Sequence, residues 1–300
     1  MKGKIELSIY GTRGSCATGS KEYSEFGGDT SAYTLKHGDT LHFLDGGTGI
    51  RRAMAKELTP EVQSAYLHIT HGHADHIDMG CAGGIYFNKV PGGIKVIGYQ
   101  EVESALKNFF DGKTIWPVPY AGLNGLNKEI IALDGGEKLK YSGFEIDTLR
   151  NYHPPKGDGG SIGFRFNIKR GNGLVKIAYV TDMEFDYIPG GKPQPRTNEL
   201  KADFVNFVEG VDVLLADTHF TNKEYNETMQ FVRGWGHSTL EQVIDLANEA
   251  KVKLLLGTHH APQHTDEILS GLEKHARDYA RTNGFQGDFA FAKDGDRLIF

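Results

Sequence analysis

The sequence predicts an α/β protein: two β-sheets with helices outside them, in one domain spanning residues 1–300. Three observations carry that expectation. Short strand-like runs alternate with helical periodicity from one end of the chain to the other. The strand-rich-then-helical plan of the first half recurs in the second half, with no residue-level repeat. No linker of Pro, Gly or Ser divides the chain, and 300 residues suit one large α/β domain as well as two ordinary ones.

In chain order, residues 5–10 alternate as a strand, and 32–36 and 41–44 are two more, with His37-Gly38-Asp39 turning between them. Residues 65–70 form a strand that runs into a histidine-rich loop and a helix-like stretch. Strand 94–98 leads to a helix at 101–110. Residues 144–152, 162–168 and 175–181 read as sheet strands, the last two joined through Arg170-Gly171-Asn172-Gly173, a strong hairpin signal. Strand 211–216, helix 240–250, strand 252–257 and helix 264–281 follow. Strands 288–292 and 297–300 close the chain, with residues 293–296 (KDGD) as their turn. Residues 111–127 and 186–199 fit no element and are expected to be long loops, a kind that usually serves function or stays mobile.

Composition narrows the chemistry. Apolar residues are 39% and charged residues 24%, a globular balance with material for a core. Acidic residues (39) exceed basic ones (33), a net charge of −6, whereas a free-standing binder of long nucleic acid more often shows a basic surplus. Cys16 and Cys81 form no CxxC, which argues against disulfide scaffolds, cysteine zinc ribbons and iron–sulfur clusters. Thirteen histidines are the unusual entry in the inventory and point to imidazole chemistry. The N-terminal residues carry charges where a signal peptide needs an apolar stretch, and no apolar run reaches the roughly 20 residues of a membrane span. A cytoplasmic location is expected.

Thr70-His71-Gly72-His73-Ala74-Asp75-His76 follows directly on the strand at 65–70. Imidazole and carboxylate crowded at the C-terminal end of a strand suit a divalent metal, at the place where α/β active sites gather. The run HGHADH resembles the HxHxDH signature of the metallo-β-lactamase superfamily, and the likeness extends over nearly the whole chain. Leu44-Asp45-Gly46-Gly47-Thr48-Gly49 is similar to that family's early Asp-plus-glycine turn. The resemblance implies an αββα sandwich of two mixed β-sheets flanked by helices, with a two-metal site at the sheet edges. It implies that His71, His73 and His153 hold one ion, that Asp75, His76 and His259 hold the other, and that Asp182 bridges them. His260 is a rival to His259, which is favoured because Thr-His after a strand is the common family spelling. Zinc and manganese both suit such a site, and iron fits it too. Two divalent ions about 3.5–4 Å apart would bring the pKa of a shared water toward 7 and stabilise an anionic oxygen, so the reaction expected is hydrolysis.

Substrate must be read elsewhere in the chain. Gly236-His237-Ser238-Thr239 precedes the helix at 240–250. Read alone, Ser238 or Thr239 is an N-cap. Beside the metal motif, the segment resembles the His-Ser-Thr loop of the superfamily's phosphodiesterase branch, which includes ribonuclease Z and small-molecule phosphodiesterases. That likeness implies that His237 protonates the departing oxygen, work suited to an imidazole, with Asp75 beside it among the catalytic residues and Ser238 and Thr239 at the substrate. Gly11-Thr12-Arg13-Gly14-Ser15 also resembles this branch; Arg13 and Ser15 either contact phosphate or only form a tight turn. His219, in the family-like stretch 214–225, reads equally as structural or as touching substrate. Gly27-Gly28-Asp29-Thr30-Ser31 has no legible role.

The basic arm of ribonuclease Z has no counterpart in charge here: residues 111–127 carry only Lys113, and 186–199 carry Lys192 and Arg196. The reading preferred is therefore a small, cyclic or otherwise compact nucleotide diester, with Trp116, Tyr120 and Trp235 as candidates to stack on a base. Long nucleic acid and membrane are not expected partners. RNA 3′-end processing and a lactonase or thioester hydrolase on the same fold remain the alternatives. A homodimer is the family expectation.

Overall fold

The protein is described here by a computed structural model, which covers residues 4–153 and 160–300. Contacts divide the chain into two units: the residues up to Asp134 with Lys293–Phe300, and Gly135–Ala292.

The first unit is a seven-stranded mixed sheet. Strand β1 (Ile5–Gly11) lies between the C-terminal strand Arg297–Ile299 and β2 (Ala32–His37), and β3 (Thr40–Leu44), β4 (Ser64–Ile69), β5 (Ile94–Tyr99) and β6 (Leu126–Leu133) follow in order. Pairings are antiparallel as far as β2–β3 and parallel from β3–β4 onward. The β2–β3 turn needs a left-handed residue, which Gly38 supplies at φ +59°. Helices α1 (Ile50–Glu57), α2 (Ala74–Ile77), α3 (Gly84–Phe87) and α4 (Val102–Phe109) fill the connections. β4 is buried along nearly its whole length, as a parallel strand covered on both faces should be. A row of rings crosses the sheet: the side chains of His37 and His42 meet at 3.2 Å, those of His42 and His68 at 3.0 Å, and Tyr66 stacks on His42. Burial holds His42 and His68 neutral, with His68 pushed down to about 3.

The second unit repeats the plan. The strands β7 (Lys138–Tyr141), β8 (Phe144–Tyr152), β9 (Gly160–Arg170) and β10 (Gly173–Val180) form an antiparallel meander. A ribbon of β11 (Tyr187–Ile188) and β12 (Lys192–Pro193) stands apart, and β13 (Val213–Asp217), β14 (Leu254–Thr258) and β15 (Asp288–Phe291) then extend the sheet in parallel beside β10. Helices α5 (Thr197–Phe207), α6 (Leu240–Glu249) and α7 (Asp266–Thr282) supply the crossovers, α6 and α7 capped by the hydroxyls of Thr239 and Thr265. The fold class expected from the sequence, α/β with two mixed sheets and helices, is the one observed. Each sheet has four antiparallel strands followed by three added in parallel, so the duplication is one of architecture.

Three expectations change. The last two strands form no hairpin across residues 293–296: Asp288–Phe291 pairs in parallel with β14, and Arg297–Ile299 pairs antiparallel with β1. The stretch 186–199 is no simple loop, because it holds the β11–β12 ribbon and the first turn of α5, which begins two residues after Pro195. The stretch 111–127 folds back on its own unit. The Trp116 ring stacks on Phe109 and its Nε1–H donates to the Tyr86 hydroxyl at 2.8 Å, while Tyr120 is buried.

Candidate active site

In the first unit every candidate ligand lies on the loop at the end of β4 or on the single turn of α2 that follows it. Thr70 leaves the strand with its N–H donating to Asp45 Oδ1 at 2.7 Å and its hydroxyl donating to the same carboxylate. His76, on the single turn of α2, donates its Nδ1–H to Asp45 Oδ2 at 2.7 Å, and both side chains are fully buried. That bond fixes the tautomer and directs Nε2 outward, the usual way a carboxylate orients a metal-ligating histidine. His71 Nδ1 lies 3.1 Å from the Thr70 hydroxyl, which is already donating to Asp45 and so accepts here. His71 Nε2 is therefore left 2.9 Å from His73 Nδ1. Two nitrogens each about 2.1 Å from one ion would lie roughly 3.4 Å apart at a tetrahedral angle and roughly 3 Å apart at a right angle, so this hydrogen-bonded pair is close enough to serve as adjacent ligands. Asp75 Oδ2 is 3.2 Å from His76 Nε2 and accepts the Ser15 N–H at 2.7 Å.

The loops that begin at Gly11 and Gly27, unexplained or divided in sequence, hold this set in place. Gly47 admits no side chain, since a Cβ there would meet Asp75 O at 2.3 Å and Thr30 Oγ1 at 2.4 Å. Thr30 and Thr48 exchange N–H to hydroxyl bonds, and Asp29 receives the Thr48 hydroxyl and Arg52. Residues 27–31 thus buttress the turn that carries Asp45. Arg13 is fully buried, its Nε–H donating to Gly27 O at 2.7 Å and its guanidinium over the Tyr23 ring.

The second unit assembles its set from separate strand ends. His153 follows β8 and donates Nδ1–H to Gly236 O at 3.0 Å, leaving Nε2 at 3.6 Å from Asp182 Oδ1. Asp182, just past β10, receives the Thr181 hydroxyl at 2.8 Å. His259, just past β14, has Nε2 at 3.3 Å from Asp182 Oδ2. Its neighbour His260 turns elsewhere, Nε2 to Ala292 O at 3.1 Å and edge-on to Phe291. Asp217, the last residue of β13, accepts His237 Nδ1–H at 2.8 Å. The His219 ring stacks on His237 at 4.3 Å and 13°, donates Nδ1–H to His259 O, and is kept neutral by burial. Asp217, His219, His237 and His259 offer donor atoms within 4.8 Å of one another. Stacked rings present faces rather than lone pairs to each other, however, so an Asp217–His237 dyad describes the cluster better than a four-ligand cage.

The hydroxyls of Ser238 and Thr239 are committed locally, Ser238 to Met183 O at 2.7 Å and Thr239 to Asn222 and the cap of α6. His264, on the loop before α7, donates to Glu224 at 2.7 Å. Sequence reading missed Glu184. This carboxylate is 1% exposed and receives N–H bonds from Gly234 (2.7 Å) and Gly236 (2.6 Å) and the Tyr225 hydroxyl. Burial raises its pKa against the lowering effect of those bonds. A carboxylate between Met183 and Phe185, four residues past the end of β10, was the available signal.

Four of the five described non-glycine residues with positive φ are Ser15 (62°), Asp45 (58°), Asp182 (53°) and His259 (59°), with Lys251 (56°) the fifth. Strained backbone of this kind persists where surrounding structure over-determines it, typically at functional sites.

Comparison with known proteins places these features in context. A beta-lactamase superfamily domain matches residues 43–260. Ribonuclease Z of Thermoplasma acidophilum is 26% identical over 293 residues, covering 89% of each chain. Among solved structures, unliganded yeast PDE1 superposes with a TM-score of 0.70 at 16% identity, covering 99% of this chain and 100% of that one. The metallo-beta-lactamase fold protein YhfI from Bacillus subtilis gives 0.66 at 18%, covering 100% of both. At such identities the structural likeness is one of fold.

Proposed function

The chain belongs to the beta-lactamase superfamily, and from that premise we propose that it is a dinuclear metal-dependent phosphodiesterase acting on a small, compact or cyclic nucleotide diester. The observation that carries the substrate class is the Asp217–His237 pair: Nδ1–H is held at 2.8 Å by a fully buried carboxylate, which orients the ring and stabilises the imidazolium form, whose Nε2–H can donate. An alkoxide or sugar oxygen leaving phosphorus is poor without a proton, and an oriented imidazole supplies it. A lactone or thioester hydrolase has less need of that group.

Following the family resemblance, His71, His73 and His153 would hold one ion, Asp75, His76 and His259 would hold the other, and Asp182 would serve both. The chemistry of each donor set fits, because Asp45 and Gly236 O hold the Nδ1–H of His76 and His153 and so leave Nε2 for metal. His259 suits the last position better than His260, whose Nε2 is spent on Ala292 O. When bound, the ions supply an activated water and neutralise charge on the phosphoryl oxygens. As the bond from phosphorus to the leaving oxygen breaks, His237 passes its Nε2 proton to that oxygen, and Asp217 stabilises the imidazolium that precedes the transfer. Arg13 acts indirectly by fixing the loop on which the Ser15 N–H steadies Asp75; Ser238 and Thr239 act through backbone placement of His237. The two units work as one catalytic domain, as a homodimer in the cytoplasm. Among the described residues no helix is long and apolar enough to cross a membrane.

RNA 3′-end processing is the second reading, favoured by the ribonuclease Z relative. Residues 111–127, which hold only Lys113 as a cation and pack on their own unit through Trp116, favour the smaller substrate. The test is an assay with Mn²⁺ or Zn²⁺ of an aryl phosphodiester, cyclic nucleotides, a transfer-RNA precursor and an acyl lactone. Diester cleavage abolished by chelator and restored by metal is expected. Lactone turnover without diester cleavage overturns the proposal, and cleavage of the precursor alone transfers it to the second reading.

A further inference from the structure

We infer that Phe231 and Trp235 form a nucleobase platform on the loop that carries His237. The inference rests on the phosphodiesterase reading and adds the part of the substrate recognised.

Of the three aromatic side chains that sequence suggested for base stacking, Trp116 and Tyr120 pack inside their own unit, whereas Trp235 is 55% exposed. Beside it stands Phe231, 66% exposed, with ring centroids 5.7 Å apart and planes at 67°. Trp235 precedes His237 by two residues and Phe231 precedes it by six.

Singly exposed apolar residues are ordinary on a protein surface, but these two rings stand in contact with each other and are held out on a pinned loop. Glu184 accepts the N–H groups of Gly234 and Gly236, the residues on either side of Trp235. The Trp235 N–H donates to Val232 O at 3.0 Å, and Val232 is buried with Phe220 and Tyr225. Arg233 lies over the Tyr187 ring and donates to Tyr225 O. At Gly234 (φ +84°) the loop runs so close to the ribbon that a Cβ would meet Ile188 O at 2.2 Å. A ring pair fixed this way loses little freedom when a third ring stacks on it, and Gly236 also receives His153 Nδ1–H through its carbonyl, so the same loop ties platform, ligand and acid together.

Size selects the occupant. Aromatic side chains present about 150–250 Å² each, so the pair offers less than about 500 Å², short of the roughly 800 Å² per partner of a stable protein interface and ample for a purine or pyrimidine.

Two esters with one leaving group separate the base from the chemistry: the nitrophenyl ester of thymidine monophosphate and methyl nitrophenyl phosphate. Trp235→Ala should lower kcat/KM for the thymidine ester roughly tenfold, through KM, with the methyl ester unchanged; Phe231→Ala should do the same more weakly. Equal change with both esters overturns the inference. A lower solution mass for Trp235→Ala with an unchanged ester ratio assigns the rings to a self-contact and also overturns it. A binding readout needs no turnover. In Trp116→Phe, Trp235 is the one remaining tryptophan, and thymidine monophosphate should quench its fluorescence saturably. If the parent protein cleaves neither ester, the phosphodiesterase reading falls, and the quenching alone decides the platform: saturable quenching upholds it and none removes it.

Discussion

The two units reach comparable chemistry by different routes. In the first, four candidate ligands fall within residues 71–76, and one buried carboxylate, Asp45, orients the loop through Thr70 and His76. In the second, His153, Asp182, Asp217 and His259 come from the ends of β8, β10, β13 and β14, and backbone carbonyls orient His153 and His219. A contiguous loop concentrates its support in one residue, whereas a distributed set spreads it over the sheet. Removing a single orienting group should therefore disturb the first unit's metal ligands more than the second's, and the second unit is free to devote its own buried carboxylate, Asp217, to an acid.

The largest effect expected is on His237→Ala, which should keep its metal content and lose roughly 10²–10⁴-fold in rate on alkyl diesters, with far less loss on aryl diesters. Equal loss on both, measured by steady-state kinetics, would remove the general-acid role. Next, Asp45→Asn should weaken metal binding by about 10–100-fold, whereas Asp217→Asn should leave metal affinity intact and lower turnover of poor leaving groups. Metal titration distinguishes them, and equal loss of affinity in both would erase the contrast between the units.

Acid should also separate them. The first unit buries His42 and His68 in neutral form, with His37 lowered beside them; the second buries His219. Their folded proton affinities lie below the ordinary value of about 6.5, so the unfolded chain binds more protons and stability is lost as pH falls from about 6.5 toward 3. Each buried imidazole should cost about 1 kcal/mol between pH 6.5 and 5.5. Amide exchange should show the first unit opening before the second, and His68→Gln should flatten the slope. An unchanged slope would show that the row of rings is not the acid-sensitive element. The smallest effects are expected at Ser15→Gly and Lys251→Gly, one in each unit. Both should stabilise by up to about 1 kcal/mol by relieving a left-handed backbone, read as a rise in Tm, with turnover kept because the residue 15 N–H to Asp75 survives.

The same contrast governs what could be read in advance. Both hairpin turns and the β4 loop were legible because their signals are local: Gly38, Gly171 and the HxHxDH run act within a few residues. α1 was missed although Ile50, Ala53, Met54 and Glu57 are buried at helical spacing, because eight residues are shorter than the window in which periodicity stands out. β6 was missed because most of its residues are exposed or half-buried and so lack an apolar pattern. The final hairpin was misread because a turn sequence does not reveal which sheet each flanking strand joins. The candidate ligands at strand ends were suggested by the resemblance and by their places just past strands, and Glu184 escaped because its partners are the N–H groups of glycines fifty and more residues away.

Asp45, Asp182 and His259 each occupy a conformation that glycine adopts more readily. At all three places, then, a replacement that would erase the proposed chemistry also relieves a left-handed backbone, but at Asp45 it strips Thr70 and His76 of their buried partner as well. Selection for thermal stability alone, applied to a library of this protein, should enrich inert glycine variants at Asp182 and His259 and not at Asp45. Their absence from any lineage that still turns over substrate would mark where activity, and not folding, decides which residue survives.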